Sequence, residues 1–259
     1  MRKPNFSSDF TVTWGGGHAT ILGGGEGLQF MMDKFSGSGV ESKSDFLFGR
    51  FDVQIKLIPG NSAGTITSFY LSSQLQNRDE IDFEFLGSTS ADLYKLHTNI
   101  YINGEGGREK QFHFWFDPTA DFHTYSILWN PQQVIWYVDG SPIRVFKKPN
   151  SSSFDYPQNQ LMKIQASLWD GSNWIGRVDW NKAPFIVHYR DYKAEACVWL
   201  GNISAASCGS DSSSWMNHVL SNEEKNEIAL VQNNYITYDY CNDPKRASEI
   251  TSLECSINT

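Results

Sequence analysis

The stretch Asp79-Glu80-Ile81-Asp82-Phe83-Glu84-Phe85-Leu86-Gly87 carries the densest chemistry in the chain. Side chains alternate faces along an extended strand, so Glu80, Asp82 and Glu84 share one face while Ile81, Phe83 and Phe85 share the other. Like charges side by side repel, and such a row persists only where a cation, a metal or a shared proton compensates. Three readings fit this pattern. An acidic, solvated edge strand needs no ligand. A calcium site usually draws its oxygens from flexible loops, and no Asp/Asn/Gly loop pattern surrounds this stretch. Glycoside hydrolysis needs one carboxylate nucleophile and one carboxylic acid, and a middle Asp can orient and tune the nucleophile. The Cα atoms of Glu80 and Glu84 stand about 13 Å apart along such a strand. Leaning side chains can span much of the gap to the roughly 5–5.5 Å that retention of configuration requires, although alternation alone does not place them so.

Most of the first 195 residues read as the strands that must position this row. Phe46 to Leu57 alternates with Phe51, Val53, Ile55 and Leu57 on one face, and 65–71, 125–129, 134–138 and 161–168 behave similarly. Pro59-Gly60-Asn61, Asn130-Pro131 and Asp139-Gly140 are turn signals, the last joining VIWYV to SPIRVF as a hairpin. Many short strands with regular turns predict an all-β sandwich or barrel. After residue 195 the composition shifts. The four cysteines appear, 204–214 is small and polar, and Ser221 with Glu224 makes a capping box ahead of Ile228, Val231 and Tyr235. The expectation is a catalytic domain over 1–195, with 196–259 as a disulfide-stapled C-terminal extension containing one helix and packed on the sandwich. No internal repeat is found.

Composition narrows the partners. The net charge is −8 with no Lys/Arg stripe, which argues against nucleic acid. No apolar run reaches membrane-spanning length. A neutral polysaccharide needs no complementary field, and the nine Trp and eleven Tyr supply rings for stacking on pyranoses, although core aromatics account for most such residues in β-proteins. Cys197, Cys208, Cys241 and Cys255 show no zinc spacing. They allow three pairings, of which the local one (197–208, 241–255) closes two short loops. Sequons at Asn5, Asn150 and Asn202 agree with secretion. Met1-Arg2-Lys3 is followed by polar residues rather than an apolar signal core, so the expectation is a secreted protein in its mature form.

DEIDFEFLG resembles the active-site signature of the xyloglucan endotransglucosylase/hydrolases, the plant cell-wall branch of glycoside hydrolase family 16. The resemblance extends through LFGRFDVQIKLIPGNSAG, FYLSSQ, HTN, FWFDPTADFHTYSILWNP, SPIRVFK, KAPF, YRDYKAEACVW and NNYITYDYCNDPKR, over nearly the whole chain. It implies a β-jelly-roll of two curved antiparallel sheets, a monomer, and no metal or organic cofactor. Glu80 is implied as nucleophile, Glu84 as general acid/base and Asp82 as the residue that orients the nucleophile. Further positions match family substrate residues: Tyr70 on the donor side, His97 and Asn99 toward glucose hydroxyls, Glu109 beside Arg108 as a donor-site ligand, and Trp169 and Trp174 as stacking platforms. Tyr238 and Arg246 match residues that hold the acceptor chain. A sandwich tyrosine, a structural His and a surface ion pair are the plain alternatives for Tyr70, His97 and the Arg108–Glu109 pair.

Three departures from the family pattern stand out. Arg78 replaces the usual His before the carboxylate row. Ser88 replaces a glycosylated Asn after FEFLG. The loop WIGRVDW (174–180) is shorter than the family's, with Arg177 a loose counterpart of its Arg, and a shorter loop predicts a more open acceptor side. The resemblance implies transfer between glucan chains, with xyloglucan as donor and acceptor. The alternatives are a hetero-trans-β-glucanase taking cellulose or mixed-linkage glucan as donor, a xyloglucan endo-hydrolase, and a non-catalytic glucan-binding protein on the same scaffold. The expected location is the cell wall or apoplast.

Overall fold

The computed structural model describes residues 4–150, 153–198 and 213–258. Two antiparallel sheets form a sandwich. The first runs, in spatial order, β1 (Phe10–Trp14), β4 (Ser38–Ser42), β13 (Lys163–Asp170), β6 (Thr65–Ser72), β7 (Glu80–Leu86), β8 (Lys95–Tyr101), β9 (Lys110–His113) and β15 (Ile236–Asp239). The second runs β12 (Ser141–Lys147), β11 (Gln133–Val138), β10 (His123–Trp129), β5 (Phe46–Lys56), β14 (Phe185–Val198), β3 (Gly27–Met32) and β2 (Ala19–Leu22). The strands read from alternation over 46–57, 65–71, 125–129 and 134–138 are all present, and the 161–168 stretch starts its strand at Lys163. Asp139 and Gly140 both take positive φ, 50° and 85°, as a two-residue hairpin requires, and join β11 to β12.

The core lies between the sheets. Phe51, Val53, Ile55 and Leu57 bury one face of the first long strand and its exit, as their period of two demands. Ile81, Phe83 and Phe85 of β7 are fully buried there too, and Phe85 meets Tyr125 edge-on with ring centroids 4.6 Å apart. Burial of one face of β7 fixes its register, so the acidic face must turn away from the core. The opposite sheet also holds this strand directly: Trp136 Nε1 donates to the carbonyl of Asp82 at 3.0 Å.

The chain after residue 195 is more structured than the single helix expected. The predicted helix is α3 (Asn222–Tyr235), with the Ser221/Glu224 capping box in place, Ile228 buried and Val231 and Tyr235 half-buried. A one-turn α2 (Ser213–Met216) precedes it and a ten-residue α4 (Glu249–Asn258) follows. Between them β15 pairs with β9 and adds the eighth strand to the first sheet. Cys241 and Cys255 form a disulfide. Cys208 and Asn202 lie outside the described residues; Cys197 is buried near the end of β14. Asn150 is exposed, whereas the Asn5 amide nitrogen donates to Gly24 O at 2.9 Å and its carboxamide caps the short α1 (Phe6–Asp9). No helix among the described residues is long and apolar enough to cross a membrane.

Candidate active site

The strand register assembles the site. Three cross-strand rows lie on the outward face of the first sheet: Ser72–Glu80–Tyr101, Gln165–Tyr70–Asp82–Asn99, and Ser167–Ser68–Glu84–His97–Gln111. They floor an open cleft of about 390 Å³ that Arg78, Glu109, Trp169 and Trp174 also line. Of the residues singled out from the sequence, Tyr70, Arg78, Glu80, Asp82, Glu84, His97, Asn99, Glu109, Trp169 and Trp174 therefore meet at one place.

The two outer carboxylates have different partners. Arg78 Nε donates to Glu80 Oε2 at 2.8 Å, and its guanidinium lies 5.4 Å from the centre of the Tyr101 ring. Glu84 Oε2 shares a hydrogen bond of 2.9 Å with His97 Nδ1. The His97 ring is buried beneath Trp174, whose ring centre is 5.1 Å away, and its Nε2 has no protein partner. Asp82, between the two, is buried. Desolvation first, then the charges of Glu80 and Glu84, hold its carboxyl well above the ordinary carboxylate range, with Arg78 and Arg144 opposing the rise. Burial, helped by Glu80 and Asp82, also raises the Tyr70 hydroxyl, which donates to Gln165 Oε1 at 2.9 Å. Among the described residues no cluster of three or more His, Cys, Asp or Glu is disposed to hold a metal ion.

The flank formed by β9 and the extension orders the remaining polar groups. Arg108 does not line the cleft: its guanidinium binds Glu254 Oε1 through Nε at 2.8 Å and Nη2 at 2.7 Å, and Glu105 O through Nη1. Its backbone N–H donates to Asn99 Oδ1 at 3.1 Å, so the charged side chain anchors α4 while the main chain sets a cleft residue. Glu109 pairs with Arg246 rather than with Arg108, Oε1 to Nη2 at 3.2 Å, and its Oε2 is buried without a protein partner. That pair ties Glu109, implied by the resemblance as a donor-site ligand, to the extension while it lines the cleft. Tyr238 donates to Asp243 Oδ2 at 2.7 Å on the same side. Tyr101, Ser68 and Ser167 join the cleft without having been singled out. Tyr101 follows His97 and Asn99 at the same period of two and is legible by that rule.

The 174–180 loop packs against the start of β6. Gly171 N–H donates to Gly64 O at 2.8 Å, and Trp174 N–H returns to Gly171 O at 2.8 Å. Gly64, at φ +84°, has backbone of Gly176, Arg177 and Val178 within 2.7 Å of where a Cβ would sit. The loop therefore folds down onto Gly64, leaving Trp174 half-exposed over His97 and Arg177 out in solvent, away from the cleft lining.

Residues 6–185 match the family described as Glycosyl hydrolases family 16, and residues 210–255 match the Xyloglucan endo-transglycosylase (XET) C-terminus. The chain is 47% identical over 264 residues to Xyloglucan endotransglucosylase protein 7 of Diospyros kaki, covering 98% of each chain. It is 48% identical to the Probable xyloglucan endotransglucosylase/hydrolase protein 23 of Arabidopsis thaliana, over 97% of this chain and 91% of that one. Among solved structures it resembles a Bacillus licheniformis β-glucanase, with a TM-score of 0.60 and 25% identity over 75% of this chain and 89% of that one. The catalytic sandwich and its extension thus both find their counterparts in one group, and the chain belongs to glycoside hydrolase family 16, in its xyloglucan endotransglucosylase/hydrolase branch.

Proposed function

We propose that this protein is a retaining endo-transglucosylase that cuts the β-1,4-glucan backbone of xyloglucan and joins the new end to another glucan chain in the plant cell wall. The observation that carries this reading is the row Glu80–Asp82–Glu84 on the floor of an open cleft, its outer members bonded respectively to Arg78 and His97. Family membership and the near-complete match to xyloglucan endotransglucosylases support the substrate.

In this mechanism an oxygen of Glu80 attacks the anomeric carbon while the bond from that carbon to the departing glucan oxygen breaks. Glu84 gives its proton to that oxygen. The glycosyl ester on Glu80 then waits for an acceptor. Glu84, now a carboxylate, takes the proton of the incoming sugar hydroxyl as the new glycosidic bond forms and the ester bond breaks, which restores both residues. Asp82, buried and with its carboxyl held above the ordinary range, can donate a hydrogen bond toward Glu80. The unpartnered His97 Nε2 and Glu109 Oε2 are polar atoms that sugar hydroxyls can satisfy. Water in place of the acceptor gives hydrolysis by the same steps.

The short loop on Gly64 supports a second reading, a hetero-trans-β-glucanase, because an open cleft discriminates less between branched and plain glucan donors. The deciding experiment sizes the products formed from xyloglucan, mixed-linkage glucan and soluble cellulose, each with a labelled xyloglucan oligosaccharide. Transfer from xyloglucan alone rules out the hetero-transglucanase; release of reducing ends without label incorporation rules out transfer.

A further inference from the structure

Trp14 lies at the outer edge of the catalytic sheet and was not among the residues the sequence singled out. It ends β1, and 42% of it is exposed. A bulge between Val12 and Trp14 shifts the register, so that Val12, itself exposed at the edge, pairs with the buried Val40 whereas Trp14 pairs with Gly39. Gly39 in turn pairs with Ser167, Ser167 with Ser68, and Ser68 with Glu84. Trp14 therefore stands at the end of the row that contains Glu84.

Gly39 makes room for its ring: a Cβ there would lie 2.3 Å from the indole nitrogen. Gly37 borders the ring too, but a Cβ there would first meet Leu168 O, at 2.0 Å. The indole lies over Gly39, and Ser38 Oγ fixes its backbone by donating to Trp14 O at 3.1 Å. Three inter-strand steps, about 14 Å, separate Gly39 from Glu84. The row between them holds only Ser68 and Ser167, whose hydroxyls bond to each other at 2.5 Å. This row is thus low and polar, and it ends on an exposed aromatic ring.

We infer that Trp14 is a distal stacking platform for the donor arm of a β-glucan chain. The inference rests on the proposed function, since it needs a glucan lying across this sheet. It adds a distal contact that only a long donor reaches. The acceptor-side residues Tyr238 and Arg246 lie at the opposite edge, beyond β9, so the β1 edge is left to the donor.

The test compares donors of graded backbone length, from polymeric xyloglucan down to oligosaccharides whose donor arm ends short of β1. Trp14→Ala raises KM for the polymer roughly three- to tenfold, the range of one aromatic contact, with kcat and the short-donor kinetics unchanged. Trp14→Phe restores most of the difference, and Gly39→Ala, which displaces the ring, repeats the loss. Equal losses on short and long donors, or a polymer KM equal to the parent's, overturn the platform. A parent that transfers no glucan at all contradicts the proposed function instead. In that event, undiminished retention of Trp14→Ala on immobilised xyloglucan also overturns the platform.

Discussion

Arg78 donates to Glu80 at 2.8 Å while its guanidinium lies over Tyr101, so the carboxylate assigned to nucleophilic attack is held by a cation that never loses its charge. A His in its place titrates near neutrality. Arg78→His should therefore acquire a pH dependence that the parent lacks, losing roughly fivefold in kcat/KM between pH 5.5 and 7.5. That estimate is a charge-assisted bond discounted to about 1 kcal/mol, because the Arg78 side chain is half-exposed. Parallel pH profiles of the two proteins check it, and coincident profiles count against the role.

Burial raises the Asp82 carboxyl, and the sign of its effect on stability follows. The unfolded chain ionises this group at a lower pH than the folded one does. Folding is therefore penalised above the unfolded value, increasingly until the pH passes the folded value, and not at all below both. Asp82→Asn should raise Tm at neutral pH and lose that advantage as the pH falls below about 4. Differential scanning calorimetry across this range measures it, and the same substitution should depress transfer while stabilising the fold.

The extension is pinned by buried charge. Glu254, 2% exposed, binds Arg108 twice, and Lys110 Nζ pairs with Asp239 Oδ2 at 2.9 Å. Removing one partner of a buried pair leaves the other uncompensated. Glu254→Ala should cost about 3 kcal/mol in denaturant unfolding, and KM should rise with it because Arg108 N–H orients Asn99. A surface-like cost below about 1 kcal/mol contradicts this account of the interface.

Trp174 stacks over His97 from a loop that folds down onto Gly64. Trp174→Ala, at a half-exposed position, should leave Tm within a degree or two (about 0.5 kcal/mol) while raising KM for the sugar chains roughly tenfold. Initial-rate measurements with donor and acceptor varied separately show which chain the ring holds.

How much of this was legible follows from range. β7 and its partners could be read because one face is core and the other polar, a pattern local in sequence. His97 and Asn99 continue to Tyr101 by the same period. The helix α3 announces itself by its capping box. By contrast α4 (EITSLECSIN) has no capping signature read from the sequence; of its two anchors the Cys241–Cys255 bond is the local pairing the cysteine spacing offered, whereas Glu254 on Arg108 is long-range. The β15 strand exists as such only by pairing with the edge of β9. Trp14 hides for a sharper reason. Alternation from Phe10 through Val12 puts it on the core face, and only the bulge turns it outward. The partner of Arg108 was not legible, because its carboxylate comes from 146 residues away.

The central claim, that Glu80 carries the glycosyl group, is tested most directly by trapping the ester. A fluorinated xyloglucan-oligosaccharide donor that forms the ester but slows its breakdown should add one glycosyl mass to the peptide containing Glu80. The adduct should be absent from Glu80→Ala, and it should discharge when an acceptor oligosaccharide is added. A label found on Glu84, or glucan transfer persisting in Glu80→Ala, would contradict the assignment.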